Sequence, residues 1–489
     1  MLKETNSPTP EAYRDSIPTV DQSGKRVWLF PRQPPASARK AKGTVNFYRL
    51  RSWLSYFLLV LLFTGPFLRI NGNPILMFNV LERKASIFGF MFWPEDFHLF
   101  ALAMVTGMFM LVVFTAVFGR IWCGWLCPQT ILMEMVFRKI EYWLEGDSRQ
   151  QKALAKAPWS FNKLMRKGLK LTIFFVLSFI ISNLLLSYVI GSEAMIKILT
   201  DPPLSHLRGL TAMIIFTFLF FALFARFREQ ACTFVCPYGR IQSVLLSDQS
   251  IVISYDWLRG DKRGPLELDE NPEQRKVRGL GDCIDCNMCV EVCPTGIDIR
   301  NGTQMECINC AACIDSCNSV MEKIGQPLNL IRYASHNNIS KGERMRFTPR
   351  LAIYSTILTA LLTLLVILFI NKTPVEANLF RTPGTWYQEL PTGEINNIYN
   401  LRLINKSNRG MKLTLKLIEP PEGTLLVAGN EINIKPGEHG RSSVIITLPR
   451  EVANKSPLNL EVLVLNEGEI TDRIKTKFIG PNLGKQENL

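Results

Sequence analysis

Eight cysteines in two matching runs are the residues of this chain most able to do chemistry. The first run reads Cys283-Ile-Asp-Cys286-Asn-Met-Cys289-Val-Glu-Val-Cys293-Pro294. Thirteen residues separate Cys293 from the second run, Cys307-Ile-Asn-Cys310-Ala-Ala-Cys313-Ile-Asp-Ser-Cys317. Each is C-x2-C-x2-C-x3-C, the spacing with which bacterial ferredoxins hold a 4Fe-4S cluster. Three close thiolates wrap one cubane, while the fourth cysteine points away toward the other cluster. The spacing therefore predicts one cluster on Cys283, Cys286, Cys289 and Cys317, and a second on Cys307, Cys310, Cys313 and Cys293. Asn318 stands where a proline would follow Cys317, which weakens a turn and leaves the ligands untouched. A disulfide framework or a zinc site fits a dense, repeated spacing of this kind poorly.

The other four cysteines form two C-x3-C pairs. They lie in Phe118-Gly-Arg120-Ile-Trp-Cys123-Gly-Trp-Leu-Cys127-Pro128 and Phe227-Arg228-Glu-Gln-Ala-Cys232-Thr-Phe-Val-Cys236-Pro237. Each is an arginine followed by C-x3-C-P at the end of an apolar run. His98 and His206 mark the opposite ends of those runs, so the chain reads as an internal duplication of a helical hairpin. A helix continuing through C-x3-C would put both thiols on one face, and the proline would end or kink it in the following turn. Two such faces would supply four soft ligands, suited to Cu(I), zinc or an iron-sulfur centre. The plain alternative is four buried thiols packed as small hydrophobes. His98 and His206 are candidates for a metal or quinone, against the commoner role of a packing residue at a span end.

The elements that hold these groups are apolar. Of 489 residues, 47% are hydrophobic and 20% charged, as in a membrane protein with soluble parts. The net charge of +14 does not point to nucleic acid, because the basic residues gather beside apolar runs. Those runs are 53–68, 97–118, 171–190, 209–225 and 351–370; about 20 apolar residues cross a bilayer, which gives about five spans. The stretch 119–168 holds nine Lys/Arg, whereas 71–96 and 191–208 hold two each. By the positive-inside rule the ferredoxin runs are cytoplasmic and the tail is outside. No cysteine follows residue 317, so no oxidised scaffold is indicated. No cleavable signal is visible.

The domain plan that follows has a mostly disordered cytoplasmic arm, 1–50, and a four-span membrane domain, 51–250. A two-cluster, ferredoxin-like (α+β) domain follows at 251–350, then a fifth span, 351–370, and a tail, 371–489. The segment 255–282 is turn-rich and reads as a docking loop. In the tail, alternating runs such as Met411–Leu417 and Leu460–Leu465 predict a small all-β antiparallel sandwich. It is either a docking module or a folded tail without chemistry of its own.

From about Val45 to Lys477, the two C-x3-C-P motifs, the two ferredoxin runs and the β tail together resemble the CcoG/FixG/Rdx cytochrome c oxidase accessory proteins. Each C-x3-C-P alone is shared with other membrane ferredoxins, such as the NapH and NosR types. The resemblance implies an inner-membrane protein of bacteria that helps assemble a cbb3-type oxidase, with an immunoglobulin-like periplasmic domain after the last span. It also implies reduction of Cu(II) to Cu(I) ahead of copper delivery. The leading expectation is a cupric reductase with its copper site at Cys123, Cys127, Cys232 and Cys236. A cytoplasmic electron donor would feed it, with a copper chaperone or transporter, or oxidase assembly factors, as partners. The rivals are a quinol-linked electron conduit of the NapH type and a non-redox assembly scaffold.

Overall fold

A long apolar segment must bond its own backbone, and helix is the form that does so within one segment. The first such element, α1 (Phe47–Thr64), starts on Asn46, whose side chain accepts from the Arg49 N–H. Four further helices are long and apolar enough to cross a membrane. They are α2 (Phe97–Phe118), α3 (Phe161–Ile190), α4 (Leu207–Ala222, continued to Phe227 by a π turn) and α5 (Pro349–Ile370). The structure, a computed structural model, describes residues 29–34 and 46–481 except 71, 80–83, 88, 93–95, 268–271, 344–347, 372, 385, 408, 430, 431, 436 and 437.

The expected first span, 53–68, falls on α1 but is shifted. α1 takes in Arg49 and Arg51 and stops at Thr64, before Gly65-Pro66. Proline has no N–H to return to Leu62, and the Tyr188 hydroxyl donates to that carbonyl instead, at 2.7 Å. α1 is not among the four helices that meet the length and composition of a span.

The chain divides into two units, Met1–Pro66 with Ala103–Leu362, and Phe67–Leu102 with Thr363–Leu489. In the first, α3 and α4 pack on a π turn at Leu132–Phe137. Phe137 stacks on Phe224 with centroids 4.5 Å apart and meets Phe174 edge-on at 4.9 Å. A buried ion network lies on the same helices. Arg228 pairs with Glu141 at 2.7 Å, Arg138 with Glu134 at 2.9 Å and with Glu229, and Lys170 with Glu145 at 2.8 Å.

The cysteine-rich segment of this unit is closed by two antiparallel strands, Val252–Tyr255 and Ile331–Ala334, with Val252 opposite Ala334. Ile253, Ile299, Ile314, Met321 and Leu330 form its core around the cysteines. Part of the expected disordered arm is packed. The Arg32 N–H donates to the Glu291 carbonyl at 2.7 Å, and the Tyr142 hydroxyl donates to that of Pro31 at 3.1 Å. The arm's residues 1–28 and 35–45 lie outside the described residues.

The second unit is mostly a β-sandwich. One sheet runs Thr424–Val427, His439–Leu448, Ile395–Asn405, Val375–Arg381; the other runs Ile432–Ile434, Met411–Glu419, Leu458–Asn466, Glu469–Phe478. Pairing is antiparallel, and the inward residues Tyr399, Leu401, Leu403, Val444, Ile446, Val462 and Val464 alternate with outward ones to fill the core. Lys406, nearly inaccessible, holds Asp96 at 2.6 Å and Glu376 at 2.7 Å.

Candidate redox centres

Both ferredoxin runs wrap their cysteines by the same backbone device. Asp285 and Asn309, each the residue before the second cysteine, have φ of 53°. Asn287 and Ala311, each the residue after it, have φ of 56° and 62°. Asp and Asn tolerate the left-handed region; Ala311 does not favour it and is held there by burial. The third cysteines then open helices, Met288–Glu291 with Cys289 and Ala312–Lys323 with Cys313 and Cys317.

The result is two cavities. One is lined by Cys283, Cys286, Cys289 and Cys317. The other is lined by Cys293, Cys307, Cys310 and Cys313, and by Cys289 as well. The structure thus brings together the two crossed sets of four expected from the spacing. Burial pushes the thiols of Cys289 and Cys307 up to about 12 and that of Cys310 up to about 11. It raises Cys313 and Cys317 as well, and for both the thiols of their own set push the same way. Such cysteines give up protons when they bind a metal group, and the soft, enclosed donor sets fit 4Fe-4S clusters.

The segment 255–282, expected as a docking loop, is a packed support. Arg275, wholly buried, donates to the carbonyls of Gly281 (2.6 Å), Gly264 (2.7 Å) and Cys283 (2.8 Å). Residues 268–271 of that segment lie outside the described residues.

The two C-x3-C motifs do not continue the spans. After α2 the chain turns at Gly119 with φ of 57°, and after α4 at Arg228 with φ of 53°. Cys123 sits in a short helix, Ile121–Trp125, and Cys232 in a π turn, Ala231–Val235. Cys127 and Cys236 cap the next helices, Pro128–Ile131 and Pro237–Leu245. The prolines therefore start a helix rather than end one, because at the first helical position the missing N–H has no partner to lose. The expectation of one helix face bearing both thiols is corrected, although the duplication is repeated break for break.

The four thiols still lie near enough to influence one another. Burial pushes Cys232 up to about 12, with Cys127, Cys123 and Cys236 adding to it, and burial raises Cys123 as well. Gln242, on the helix that Cys236 caps, donates to Cys123 Sγ at 3.4 Å. Arg120, also buried, donates to Gln242 and to the carbonyls of Gly239 and Met305. One cation thus ties the first motif to the second and to the turn between the ferredoxin runs.

The first motif also touches the second ferredoxin loop. Cys123 packs against the cluster of Val292, Ile308, Cys310 and Ala312. A Cβ on Gly124 would lie 2.3 Å from the Ile308 carbonyl oxygen and 3.1 Å from Cys310 Cα. Trp125 Nε1 donates to the Asn309 carbonyl at 3.2 Å, and Tyr333 Oη donates to the same carbonyl at 2.8 Å. Sequence reasoning missed Gln242, Gly124 and Trp125; the arginine repeated before each motif was the one visible signal. His98 is exposed in the first turn of α2, and His206 pairs with Asp201 at 2.9 Å.

Residues 227–336 match the family described as a 4Fe-4S dicluster domain, 100–147 a 4Fe-4S binding domain, and 365–481 the IG-like fold at the C-terminus of FixG. RdxB of Cereibacter sphaeroides is 31% identical over 83% of this chain and 86% of its own. The chain belongs to the FixG/Rdx family. RdxA of the same organism is 30% identical over 87% of this chain and 90% of its own. The nitrogen fixation protein FixG of Rhizobium meliloti is 26% identical over 88% and 90%. As a member of the FixG/Rdx family, the chain is a membrane iron-sulfur redox protein with 4Fe-4S ferredoxin domains and a C-terminal immunoglobulin-like region.

Proposed function

We propose that this protein reduces Cu(II) to Cu(I) at Cys123, Cys127, Cys232 and Cys236, for the assembly of a cbb3-type cytochrome c oxidase. The observation that carries this reading is the seating of Gly124 directly on the Ile308–Cys310 backbone, with Cys123 beside it packed against Ile308 and Cys310. Cys283, Cys286, Cys289 and Cys317 would hold one cluster, and Cys293, Cys307, Cys310 and Cys313 the other. When bound, such clusters supply one-electron carriers. The four thiols, deprotonated as metal enters, are soft ligands that favour Cu(I) over Cu(II). Gln242 holds one of them by a hydrogen bond, and Arg120 sets a fixed cation beside the group. Per turnover one Cu(II) gains one electron to become Cu(I), a cytoplasmic donor loses one, and the thiolates are not consumed. The loop charges support a cytoplasmic ferredoxin domain and a sandwich on the far side, with α1 counted as a fifth span.

A second reading has one observation in its favour. The 4Fe-4S binding match over 100–147 includes Cys123 and Cys127, which suits a further cluster on the four thiols, in a quinol-linked conduit of the NapH type. Metal analysis and EPR on anaerobically purified protein, before and after Cu(II), separate the two. Cupric reduction predicts about eight iron atoms, clusters oxidised by Cu(II), and retained Cu(I). The double variant Cys123→Ala/Cys236→Ala then keeps the cluster signals and loses the copper. Iron near twelve would favour the conduit, and about eight iron with no response to copper would favour the assembly scaffold.

A further inference from the structure

The stretch that leads from the buried ion network into α3 carries charge that the protein itself leaves unanswered. From Ser148 to Lys170 there are seven Lys/Arg and no Asp or Glu. Two of the seven are engaged. Lys170 meets Glu145 at 2.8 Å, and the buried Lys163 donates to the carbonyls of Ala155 and Ala157. Among the described residues, the other five, Arg149, Lys152, Lys156, Arg166 and Lys167, have no carboxylate within ion-pair distance. In the helix just before, Arg138–Glu145, the buried arginine is paired with both Glu134 and Glu229.

The unanswered charges are aligned. Arg149, Lys152 and Lys156 stand at i, i+3 and i+7 of the helix Ser148–Lys156, and all three are exposed. The rotation of that helix is fixed by its buried side, where Ser148 Oγ donates to the Phe30 carbonyl at 2.5 Å and Gln151 Nε2 to that of Gly146 at 2.8 Å. Like charges at this spacing repel one another, and a negative surface relieves the repulsion. The bonds from Lys163 to Ala155 and Ala157 tie the end of the helix to the first turn of α3, so stripe and span are held together.

Aromatic and apolar groups share the place. Trp159, in the turn between the two helices, is 75% exposed, and the Nζ atoms of Lys163 and Lys167 lie over its ring at 5.2 and 5.7 Å. Phe161 is 81% exposed, and the exposed face of α3 continues apolar through Leu164, Met165 and Leu169. At 1.5 Å per residue the 30 residues of α3 make about 45 Å, the thickness of a bilayer with both headgroup layers. Its first turn therefore lies at headgroup level, where tryptophan gathers at membrane surfaces.

We infer that the stripe Arg149, Lys152 and Lys156, with Trp159 and Phe161, is a seat for anionic phospholipid headgroups. The cations meet the phosphates and the net negative charge, while the ring of Trp159 and the apolar start of α3 meet the boundary with the acyl chains. An acidic soluble protein would use the cations alone. The apolar face that runs from Phe161 into the span is what favours lipid. The inference needs only that α3 spans the membrane and is independent of the proposed copper chemistry.

The test uses full-length protein in nanodiscs of equal parts phosphatidylcholine and phosphatidylglycerol. Native mass spectrometry reads the ratio of the two lipids retained after mild delipidation, and tryptophan fluorescence reads quenching when one or the other lipid is brominated. Wild-type protein should retain phosphatidylglycerol several-fold over phosphatidylcholine and be quenched more by its brominated form. Arg149→Gln/Lys152→Gln/Lys156→Gln should bring the ratio toward parity. Lys412→Gln/Lys416→Gln/Lys475→Gln, which removes as much charge from exposed positions of the sandwich, should leave it unchanged. Trp159→Phe should lose much of the excess quenching by brominated phosphatidylglycerol. Parity in the wild type, an unchanged ratio in the stripe variant, or equal losses in the two triple variants would overturn the inference and leave an acidic soluble protein as the better occupant. Should the stripe variant fail to fold, Trp159→Phe decides, because excess quenching that persists undiminished without Trp159 overturns it as well.

Discussion

The two ferredoxin loops share a backbone and differ in everything around it. Their left-handed residues occur at the same places, Asp285 and Asn287 in one, Asn309 and Ala311 in the other. Yet Cys286 is exposed, while Cys310 is buried under Cys123. The first loop is braced by Arg300 against Asp285 and Asn287 at the surface. The second is braced by Trp125 and Tyr333 on the Asn309 carbonyl. Repetition thus fixes how each loop wraps its ligands, and the surroundings fix what each can exchange electrons with. On the proposed reading the exposed edge at Cys286 meets the soluble donor and the buried edge meets the four thiols.

The hardest test of that asymmetry removes one cysteine from each loop. Cys310→Ala should lose about half the iron and abolish oxidation of the remaining cluster by Cu(II). Cys286→Ala should also lose about half, but its remaining cluster, reduced chemically, should still be oxidised by Cu(II) at close to the wild-type rate. Iron analysis with anaerobic stopped-flow absorbance reads both. Equal behaviour of the two variants would erase the proposed direction of transfer.

A smaller effect is expected where the loops meet. In Gly124→Ala the new methyl must push away the Ile308 carbonyl, 2.3 Å off, and backbone does not yield as a side-chain tip would. Overpacking of this kind costs about 1–3 kcal/mol. The variant should keep both clusters and bind copper, while electron transfer from the reduced clusters to Cu(II) slows at least several-fold. An unchanged rate would show that the contact at Gly124 is structural only.

Much of this was legible in the sequence, and the reason is that cysteine spacing encodes covalent reach. The crossed ligand sets follow from C-x2-C-x2-C-x3-C alone, and the structure gathers the same two groups of four. The sandwich was legible because one face of each strand is buried and the other wet, as in Ile395–Asn405. What escaped was the non-local bonding. Nothing near Gln242 in sequence announces a hydrogen bond to Cys123, 119 residues away. The helix expected through each C-x3-C broke because Gly119 and Arg228 take positive φ, which residue type suggests for the glycine only. Arg228 holds that conformation while its guanidinium meets Glu141 with both Nη atoms, at 3.0 and 2.7 Å.

The finest test concerns a single N–H. Trp125 stands between Cys123 and Cys127, and its indole donates to Asn309 O at 3.2 Å and to Tyr333 Oη at 3.3 Å. Phe47 meets both rings edge-on, with centroids 6.4 Å from Trp125 and 5.6 Å from Tyr333. Trp125→Phe keeps an aromatic ring there and removes the donor, at a cost of about 1 kcal/mol. The Asn309 carbonyl retains Tyr333 as a donor, so the loop should stay folded and both clusters should be retained. The expected change is a modest slowing of cluster oxidation by Cu(II), smaller than in Gly124→Ala. A larger loss than in Gly124→Ala would mean that the hydrogen bond to Asn309, rather than the close backbone approach, is what couples the thiols to the second loop.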